Sequence, residues 1–320
     1  MGKIAIGFDI GGTNLRAALI REEGHILERR SVLSEADKGI EFVVKNLARL
    51  IQQTIKGGGI AGVGIGIPGI IDSSKGILTQ APNICNVNNY PLRDMLIEKI
   101  GQSVPVFIEN DANCAAIGEW WIGAGKDAKS LIILTLGTGV GGGIILDGVL
   151  WNGADGMAGE IGHITIYPDG AKCNCGNFGC LESYASAVAI RRMVDHGLER
   201  NVETIIREKI TNRSKERIPE IVAEAAIEGD KFALWVWEEV GKALGIAIAD
   251  LVNLLNVEMV IIGGGLANAW ELFIDRAKKE AKKRGLRAPI KRAKIVKGVL
   301  GDDAGILGAG YLVFKEKGII

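Results

Sequence analysis

The sequence predicts an α/β protein, because short apolar runs with the spacing of β-strands alternate along the chain with longer runs that have helical spacing. Strand-like runs flank two glycine-rich turns, one near the N-terminus and one near the middle of the chain. At 320 residues, of which 48% are hydrophobic, the chain is long enough for two packed domains. We therefore expect two halves, each opening with a strand, a glycine-rich turn and a second strand.

The first of these units lies at the start of the chain. Ile4, Ile6 and Phe8 share one face of a strand over Lys3–Phe8, and alternation resumes from Leu15 to Leu19 after the turn Asp9-Ile-Gly-Gly-Thr-Asn14. This pattern predicts a β-hairpin with a glycine-rich turn.

The second unit has the same order, with a strand at Leu131–Leu136, a turn over Gly137–Gly143 and a strand from Ile144 to Leu146. Further buried strands are predicted at Gly62–Ile67, Pro105–Ile108 and Val257–Ile262. Helices are predicted at Ile40–Ile55, Pro91–Ile100, Ala112–Trp121, Glu182–His196, Lys231–Leu255, Trp270–Arg284 and Ala304–Phe314.

The charge balance excludes partners that bind through a strong overall field. Lys plus Arg and Asp plus Glu both number 38, so we expect neither nucleic acid nor an anionic membrane as a partner. The basic segment from Asp275 to Lys294 is expected to be a solvated helix face and the loop after it. The N-terminus lacks the apolar stretch of a signal peptide, and no apolar run has membrane-spanning length, so we expect a cytoplasmic protein.

The glycine turns have the chemistry of phosphate sites. A glycine turn lets backbone N–H groups approach an anion, and Thr13 and Asn14 add side-chain donors. A carboxylate beside phosphates needs a cation, so Asp9 is predicted to be a partner of Mg²⁺ through its waters. No GxxxxGK[ST] motif is present, and the first turn leads into a strand, which excludes the P-loop and Rossmann motifs. One such turn alone is equally typical of a structural hairpin, but Gly263-Gly-Gly265 provides a third.

These motifs resemble those of a known family. The residues that carry the resemblance are Asp9–Asn14, Leu136-Gly-Thr-Gly139, Ile262–Gly265, Gly139–Gly143, Gly159-Glu-Ile-Gly-His163 and Cys173-Asn-Cys-Gly-Asn-Phe-Gly-Cys180-Leu-Glu182. The first three are similar to the phosphate and adenosine motifs of the actin, Hsp70 and sugar-kinase superfamily, and the others to the signature of the ROK kinases. The resemblance implies a two-domain ribonuclease H-like fold, with ATP and a sugar in the cleft between the domains.

The resemblance also implies the nucleotide-binding residues and the domain division. The nucleotide set is Asp9, Gly11, Gly12, Thr13, Asn14, Thr138, Gly139, Gly263, Gly264 and Gly265. We expect a small α/β domain of residues 1–111 plus 304–320, and a large α/β domain of residues 112–303. We also expect a homo-oligomer, either a dimer or a tetramer.

Glu109-Asn110-Asp111 follows an apolar run and precedes a predicted helix, so Asn or Asp at this point is also typical of a helix cap. A kinase, however, needs a carboxylate that accepts the proton of the attacked hydroxyl. The resemblance implies that Asp111 is this base. It also implies the hexose-binding set of Asn110, Asp111, Glu160, His163 and Glu182.

A cluster of metal-ligand types lies in the second half of the chain. His163, Cys173, Cys175 and Cys180 provide the four ligands that a closed, structural zinc site needs. One imidazole nitrogen would bind zinc, and the other would donate to the sugar. Cys85 and Cys114 have no such partners, and we expect both to be buried apolar residues.

Glu109–Asn113 and Gly229–Ala267 look most like the glucokinase branch of the family, which implies transfer from ATP to the 6-hydroxyl of glucose. Kinases for fructose, mannose, allose or N-acetylhexosamine share the scaffold and stay open as alternatives. A sugar-responsive repressor is disfavoured, since such members carry a helix-turn-helix before the kinase fold and here the first strand starts at Lys3. A third alternative has polyphosphate as the donor, bound along the basic segment.

Overall fold

The computed structural model describes residues 3–12, 14–55, 59–81, 83–101, 104–211 and 217–320. The chain forms two compact units. The first comprises Met1–Ala128, Gly143–Gly159 and Val299–Ile320, and the second comprises Lys129–Gly142 and Glu160–Gly298.

The first unit is built on a five-stranded sheet in which three adjacent strands, β1, β4 and β7, are parallel. Its strands are β1 (Ile4–Ile10), β2 (Asn14–Arg21), β3 (Ile26–Leu33), β4 (Ile60–Ile67) and β7 (Val106–Asn110), in the order β3-β2-β1-β4-β7; a separate pair is formed by β5 (Ile70–Asp72) and β6 (Ile77–Gln80). The antiparallel pairing of β1 with β2, which ends at Ile10 opposite Leu15, confirms the predicted hairpin. Because β1, β4 and β7 are parallel, Asp9 and Asn110 lie at the same edge of the sheet.

The second unit contains a parallel array and most of the helices. Its strands are β8 (Leu131–Leu136), β11 (Met259–Gly263) and β12 (Lys294–Lys297), with β11 between the other two. The strand β9 (Val140–Leu146) follows the second glycine turn and forms a hairpin with β10 (Val149–Leu150), and this hairpin belongs to the first unit from Gly143 onward. It begins four residues before the predicted Ile144, since Gly141–Gly143 are part of the strand rather than of the turn.

The first unit contains the helices α1 (Ile40–Ile55), α2 (Leu92–Ile100), α3 (Asp111–Trp121) and α11 (Ala304–Glu316). The second unit contains the helices α4 (Glu182–Ala185), α5 (Ala187–Glu199), α6 (Ile206–Thr211), α7 (Ile218–Ile227), α8 (Lys231–Leu255), α9 (Trp270–Arg284) and α10 (Arg287–Arg292). The predicted bounds of α1, α8 and α9 are confirmed. The predicted single helix from Glu182 to His196 is wrong, because Ser186 is extended and its hydroxyl accepts from Ala189 N at 3.0 Å to begin α5. None of the described helices combines the length and the apolar character needed to cross a bilayer.

Two faces of the first sheet are covered differently. Side chains of β1 such as Ile6 and Phe8 are buried with α1 and α2, in a large apolar cluster. On the opposite face, a Cβ at Gly7 or Gly64 would overlap the backbone carbonyl of Ile306 or Ala309, both of α11. The backbone of α11 therefore lies directly on the strands, at a distance that only glycine permits.

The same close approach joins α11 to α3. A Cβ at Gly308 would overlap the carbonyl oxygen of Cys114, and one at Gly118 would overlap that of Ala304. Trp121 of α3 adds a ring contact with Phe314, with centroids 6.1 Å apart. This packing places α3 in the first compact unit, which therefore extends beyond the boundary predicted at residue 111.

We predict that Gly308→Ala destabilises the protein by about 1–3 kcal/mol through overpacking, although alanine raises intrinsic helix propensity by about 1 kcal/mol. Gly310→Ala in the same helix is the matched control, because its new Cβ would meet only the end of the flexible Ile20 side chain, with Cδ1 at 2.6 Å. Thermal unfolding of both variants should give the larger loss of Tm for Gly308→Ala. Equal values of Tm would contradict this account of the α3–α11 contact.

Candidate functional site

Asn110 ends β7 and is the N-cap of α3. Its Oδ1 accepts from the backbone N–H groups of Ala112 at 2.9 Å and Asn113 at 3.1 Å, and its Nδ2 donates to Gly69 O at 3.2 Å. The capping alternative is therefore correct for Asn110. These bonds hold the carboxamide in one orientation and leave one amide hydrogen for a ligand.

Asp111 is the first residue of α3, where the helix dipole favours a negative charge. Its Oδ1 accepts from Ala112 N at 2.9 Å, and its side chain is partly exposed. A carboxylate held in this way can accept a proton from a ligand hydroxyl.

Glu109, for which the sequence predicted no role, is a buried carboxylate that accepts four hydrogen bonds. Its Oε1 accepts from Asn110 N at 2.8 Å and Asn113 Nδ2 at 3.0 Å. Its Oε2 accepts from Ser73 Oγ at 3.1 Å and Asn152 Nδ2 at 3.3 Å. Glu109 is only 4% exposed, and its bonds to Asn110 and Asn113 hold the junction between β7 and α3 in place. The only signal in the sequence was a carboxylate directly after an apolar run.

Asp9 lies near the carboxyl end of β1, within the electrostatic field of Asp111. Burial first and Asp111 second raise the pKa of Asp9 to about 6, with Arg16 opposing and Asp302 adding to the rise. Arg16 contacts both Asp9, at 3.9 Å, and Asp302, at 3.1 Å. Two carboxylates contact this guanidinium, and a third, Asp111, lies near enough to Asp9 to raise its pKa. The site therefore has an excess of negative charge that a divalent cation would relieve, so these residues fit Mg²⁺.

The first glycine turn is closed by Gly11 N, which donates to Asn14 O at 2.8 Å. The fully buried Ser34 donates to Gly12 O at 2.8 Å and anchors the turn from below. A Cβ on Gly12 would meet no heavy atom within 4 Å, so the space beside this turn is open to a ligand. Thr13, predicted to bind phosphate, lies outside the described residues.

The second glycine turn is attached to Glu182. Gly137 N donates to Gly139 O at 2.9 Å, and Val140 N donates to Glu182 Oε2 at 3.0 Å. A Cβ on Gly139 would overlap that same carboxylate oxygen, whereas Thr138 is exposed at the tip of the turn. One residue of the predicted sugar set thus contacts the predicted phosphate turn.

The third glycine turn packs beside the second. Gly264 has φ of 82°, and a Cβ there would overlap the backbone of Leu136, the last residue of β8. Gly263 ends β11, and Gly265 begins a 3₁₀ turn with open space around its Cα. The two turns share one edge of the parallel strands in the second unit.

The four predicted metal ligands come together in the second unit, with one ligand atom from each lying within 4.8 Å of all the others. His163 Nδ1 is 3.7 Å from Cys173 Sγ, and Cys175 Sγ is 3.7 Å from Cys180 Sγ. A tetrahedron with Zn–S bonds of about 2.3 Å has edges of about 3.8 Å, so the separations fit zinc. Cys173 N donates to Asn177 O at 2.8 Å, which closes the loop that carries the thiols.

His163 and Glu182 each point one atom at this cluster and another away from it. His163 Nδ1 faces Cys173, while its Nε2 lies 4.0 Å from Glu160 Oε2. Glu182 Oε1 lies 4.0 Å from Cys173 Sγ, while its Oε2 holds the second glycine turn. The structure thus brings Glu160, His163 and Glu182 together around the cluster within the second unit.

The remaining cysteines differ from each other. Cys114 is fully buried, as predicted, and burial raises the pKa of its thiol. The prediction that Cys85 is buried is wrong, because Cys85 lies exposed in a turn whose backbone bonds to Ala36 O at 3.3 Å.

The ROK family model matches residues 5–316. This chain belongs to the ROK family. It is 38% identical to a glucokinase of Thermotoga maritima over 312 residues, which cover 98% of this chain and 97% of that protein. It is 35% identical to a xylose repressor of Caldicellulosiruptor bescii, over 97% of this chain and 78% of the repressor.

Among solved structures, a ROK family glucokinase of Streptomyces griseus in complex with glucose and AMPPNP has a TM-score of 0.81 at 35% identity. The match covers 97% of this chain and 98% of that one. The predicted α/β fold of the ribonuclease H-like actin, Hsp70 and sugar-kinase type is thereby confirmed.

Proposed function

We propose that this ROK protein is an ATP-dependent hexose kinase that transfers the γ-phosphoryl group of ATP to the 6-hydroxyl of glucose. The observation that carries the proposal is the pair of Asp9 and Asp111 at one edge of the first sheet, near enough that Asp111 helps to raise the pKa of Asp9. Phosphoryl transfer to an alcohol needs both a base and a partner for Mg²⁺. The similarity to glucokinases over nearly the whole chain supports glucose as the acceptor.

In this proposal each residue has a separate task. Asp111 orients the 6-hydroxyl and takes its proton as the hydroxyl oxygen bonds to the γ-phosphorus. The bond from that phosphorus to the β-phosphate oxygen breaks, and ADP leaves. Mg²⁺, when bound near Asp9, neutralises phosphate charge. Asn110, Glu160, His163 and Glu182 contact the sugar hydroxyls.

The nucleotide is assigned to the glycine turns. The phosphate oxygens would accept hydrogen bonds from the two turns. The donors would be the backbone N–H groups and polar side chains of Gly11, Gly12, Thr13, Asn14, Thr138 and Gly139. Gly263–Gly265 would border the adenosine. ATP as donor and free thiols both suit the cytoplasm, where we propose that the protein works. The expected homo-oligomer stays a prediction.

The proposal is tested by initial rates with glucose, fructose, mannose, allose and N-acetylglucosamine, each with Mg-ATP and with polyphosphate. We expect the highest kcat/KM for glucose with ATP. A protein that phosphorylates none of these sugars would be inconsistent with a kinase, and a clear preference for another hexose or for polyphosphate would replace that part of the assignment.

For the base, we predict that Asp111→Asn lowers kcat by about 10²- to 10⁴-fold while glucose binding changes little. The amide oxygen of asparagine can still accept from Ala112 N, so the variant should keep its fold. Asp94→Asn on α2, where the side chain is 74% exposed, is the matched control and should keep the wild-type kcat. A near-normal kcat for Asp111→Asn would remove Asp111 from this role.

For the phosphate turns, the structure separates two glycines that the sequence treats alike. Gly12→Val should raise the KM for ATP far more than that for glucose, because its side chain enters open space where phosphates would approach. Gly139→Val should raise both KM values, because its Cβ would displace the Glu182 carboxylate. Steady-state kinetics with each substrate varied will distinguish them, and equal effects on both substrates by Gly12→Val would make the first turn merely structural.

We further propose that the His163 and cysteine cluster holds one structural zinc ion per chain. Ordering the loop of residues 164–180 costs about 1–2 kcal/mol per residue in backbone entropy. Structural zinc contributes on the order of 10 kcal/mol or more, which can offset that cost. The ion would order Glu160, His163 and Glu182 without acting on the phosphoryl group.

Cys175→Ser should accordingly lose zinc, raise the KM for glucose strongly and lower Tm, with a smaller change in the KM for ATP. Cys85→Ser, an exposed cysteine outside the cluster, is the matched control and should keep zinc and both KM values. Elemental analysis by mass spectrometry measures the metal. Freshly purified wild-type protein without zinc, or an unchanged glucose KM in Cys175→Ser, would refute the zinc assignment.

A further inference from the structure

The first unit contains a cavity of about 400 Å³ that is lined in part by residues of β7 and α3. Its walls come from α3, α11, the turn after β5 and the β9–β10 hairpin. None of the five residues proposed to bind the sugar substrate lines it. Its volume falls in the range of about 300–1,000 Å³ that is typical of small-molecule sites.

The walls combine aromatic rings with balanced charge. Trp120 and Tyr311 form an edge-to-face pair with centroids 5.7 Å apart, and burial raises the pKa of Tyr311. Two cationic side chains, Arg93 and Lys315, are matched by two acidic ones, Glu109 and Glu316. Because these formal charges cancel, the lining favours a neutral ligand over an anion such as a sugar phosphate.

One of the residues that line the cavity, Asn152, has a buried polar atom without a partner in the part of the chain that the structure describes. Asn152 donates through Nδ2 to Glu109 Oε2, but its buried Oδ1 has no hydrogen-bond partner among the described residues. A buried acceptor without a partner is unfavourable, so binding of a ligand that supplies a donor to this carboxamide would be favoured.

Glu109 also lines the cavity, and it connects the cavity to Asn110 through a hydrogen bond from Asn110 N. The two bonds to Oε2, from Ser73 at 3.1 Å and Asn152 at 3.3 Å, are longer than the two to Oε1, from Asn110 N at 2.8 Å and Asn113 at 3.0 Å. A ligand hydroxyl that takes the place of Asn152 on Oε2 would leave the two bonds to Oε1 intact, and the ligand would then have to supply partners for the freed Asn152 carboxamide.

We propose that this cavity is a regulatory binding site for a neutral polyol, the chemical class of a free sugar, and that its occupant acts on Asn110 through Glu109. The aromatic walls pack against the C–H groups of such a ligand, and its hydroxyls donate to Glu109 Oε2 and Asn152 Oδ1. Binding in the cavity is independent of the kinase proposal. The effect on Asn110 rests on that proposal.

Equilibrium dialysis with radiolabelled glucose, without nucleotide, tests the binding step. Leu312→Trp fills the cavity from α11, and Ser74→Trp fills it from the exposed turn, where folding is less at risk. We expect each variant to bind one glucose per chain fewer than the wild type at saturation. Leu254→Trp, at a position that is 78% exposed and does not line the cavity, should match the wild type. Wild-type stoichiometry in folded samples of both cavity variants would overturn the site.

Initial rates test the coupling. With the cavity open, the dependence of rate on glucose should depart from a hyperbola, and in Leu312→Trp or Ser74→Trp it should become hyperbolic with a similar maximal rate. A hyperbolic wild-type curve would refute the coupling. Since dialysis requires no phosphoryl transfer, failure of the kinase proposal would leave the binding result unaffected.

Discussion

The first unit depends on the direct packing of the α11 backbone against its neighbours. Glycines stand where this helix crosses β1, β4 and α3, and a methyl group at Gly7, Gly64 or Gly308 would overlap a backbone carbonyl. Asp9 lies on β1 and Asp111 begins α3, so the helix that joins these two elements also fixes the two carboxylates relative to each other. The beginning of α11 comes especially close to this pair, because a Cβ on Gly305 would lie 3.1 Å from Asp9 Oδ1. A small change in the packing of α11 would therefore change the electrostatics of Asp9.

In the second unit, two side chains each use their two polar atoms to contact different parts of the site. Glu182 uses Oε2 to hold the second glycine turn and directs Oε1 toward Cys173 of the cysteine cluster. His163 divides its two ring nitrogens between the cluster and Glu160. The proposed phosphate turn, the proposed sugar contacts and the proposed zinc loop are consequently linked through two residues. Loss of the metal would disturb all of them together.

Local patterns in the sequence were sufficient to predict the elements whose signals are local. Hydrophobic periodicity predicts the hairpin around Gly11 and Gly12 and the bounds of α1, α8 and α9. The spacing of His163 and three cysteines predicts that they lie together. The edge strand β3 escaped prediction because most of its residues face solvent and it shows no apolar alternation. The break between α4 and α5 escaped because a serine within a helical pattern gives no sign of whether its hydroxyl caps a new helix.

The site was predictable to the extent that its residues carry recognisable motifs, and its supporting contacts were not. Ser34 contacts Gly12, which lies 22 positions away in the sequence. Glu109 contacts Ser73 and Asn152, which lie 36 and 43 positions away. No local sequence pattern connects residues that are so far apart. Cysteine is a residue type that is often buried, but Cys85 lies in an exposed turn. These are tertiary contacts, and they are specified by the whole fold rather than by neighbouring residues.

The capping role of Asn110 limits what it can contribute to specificity. Both lone pairs of its Oδ1 accept from the backbone of α3, and one of its two amide hydrogens is donated to Gly69, so one donor is left for a sugar. In the proposed reaction Asp111 acts at the reacting hydroxyl, which all the candidate hexoses share. Discrimination among hexoses in the proposed reaction must therefore come chiefly from Glu160, His163 and Glu182, where sugars differ in the positions of their other hydroxyls. Since these three residues surround the cysteine cluster, the order that zinc imparts to this loop would set not only the affinity for a sugar but also the choice among sugars.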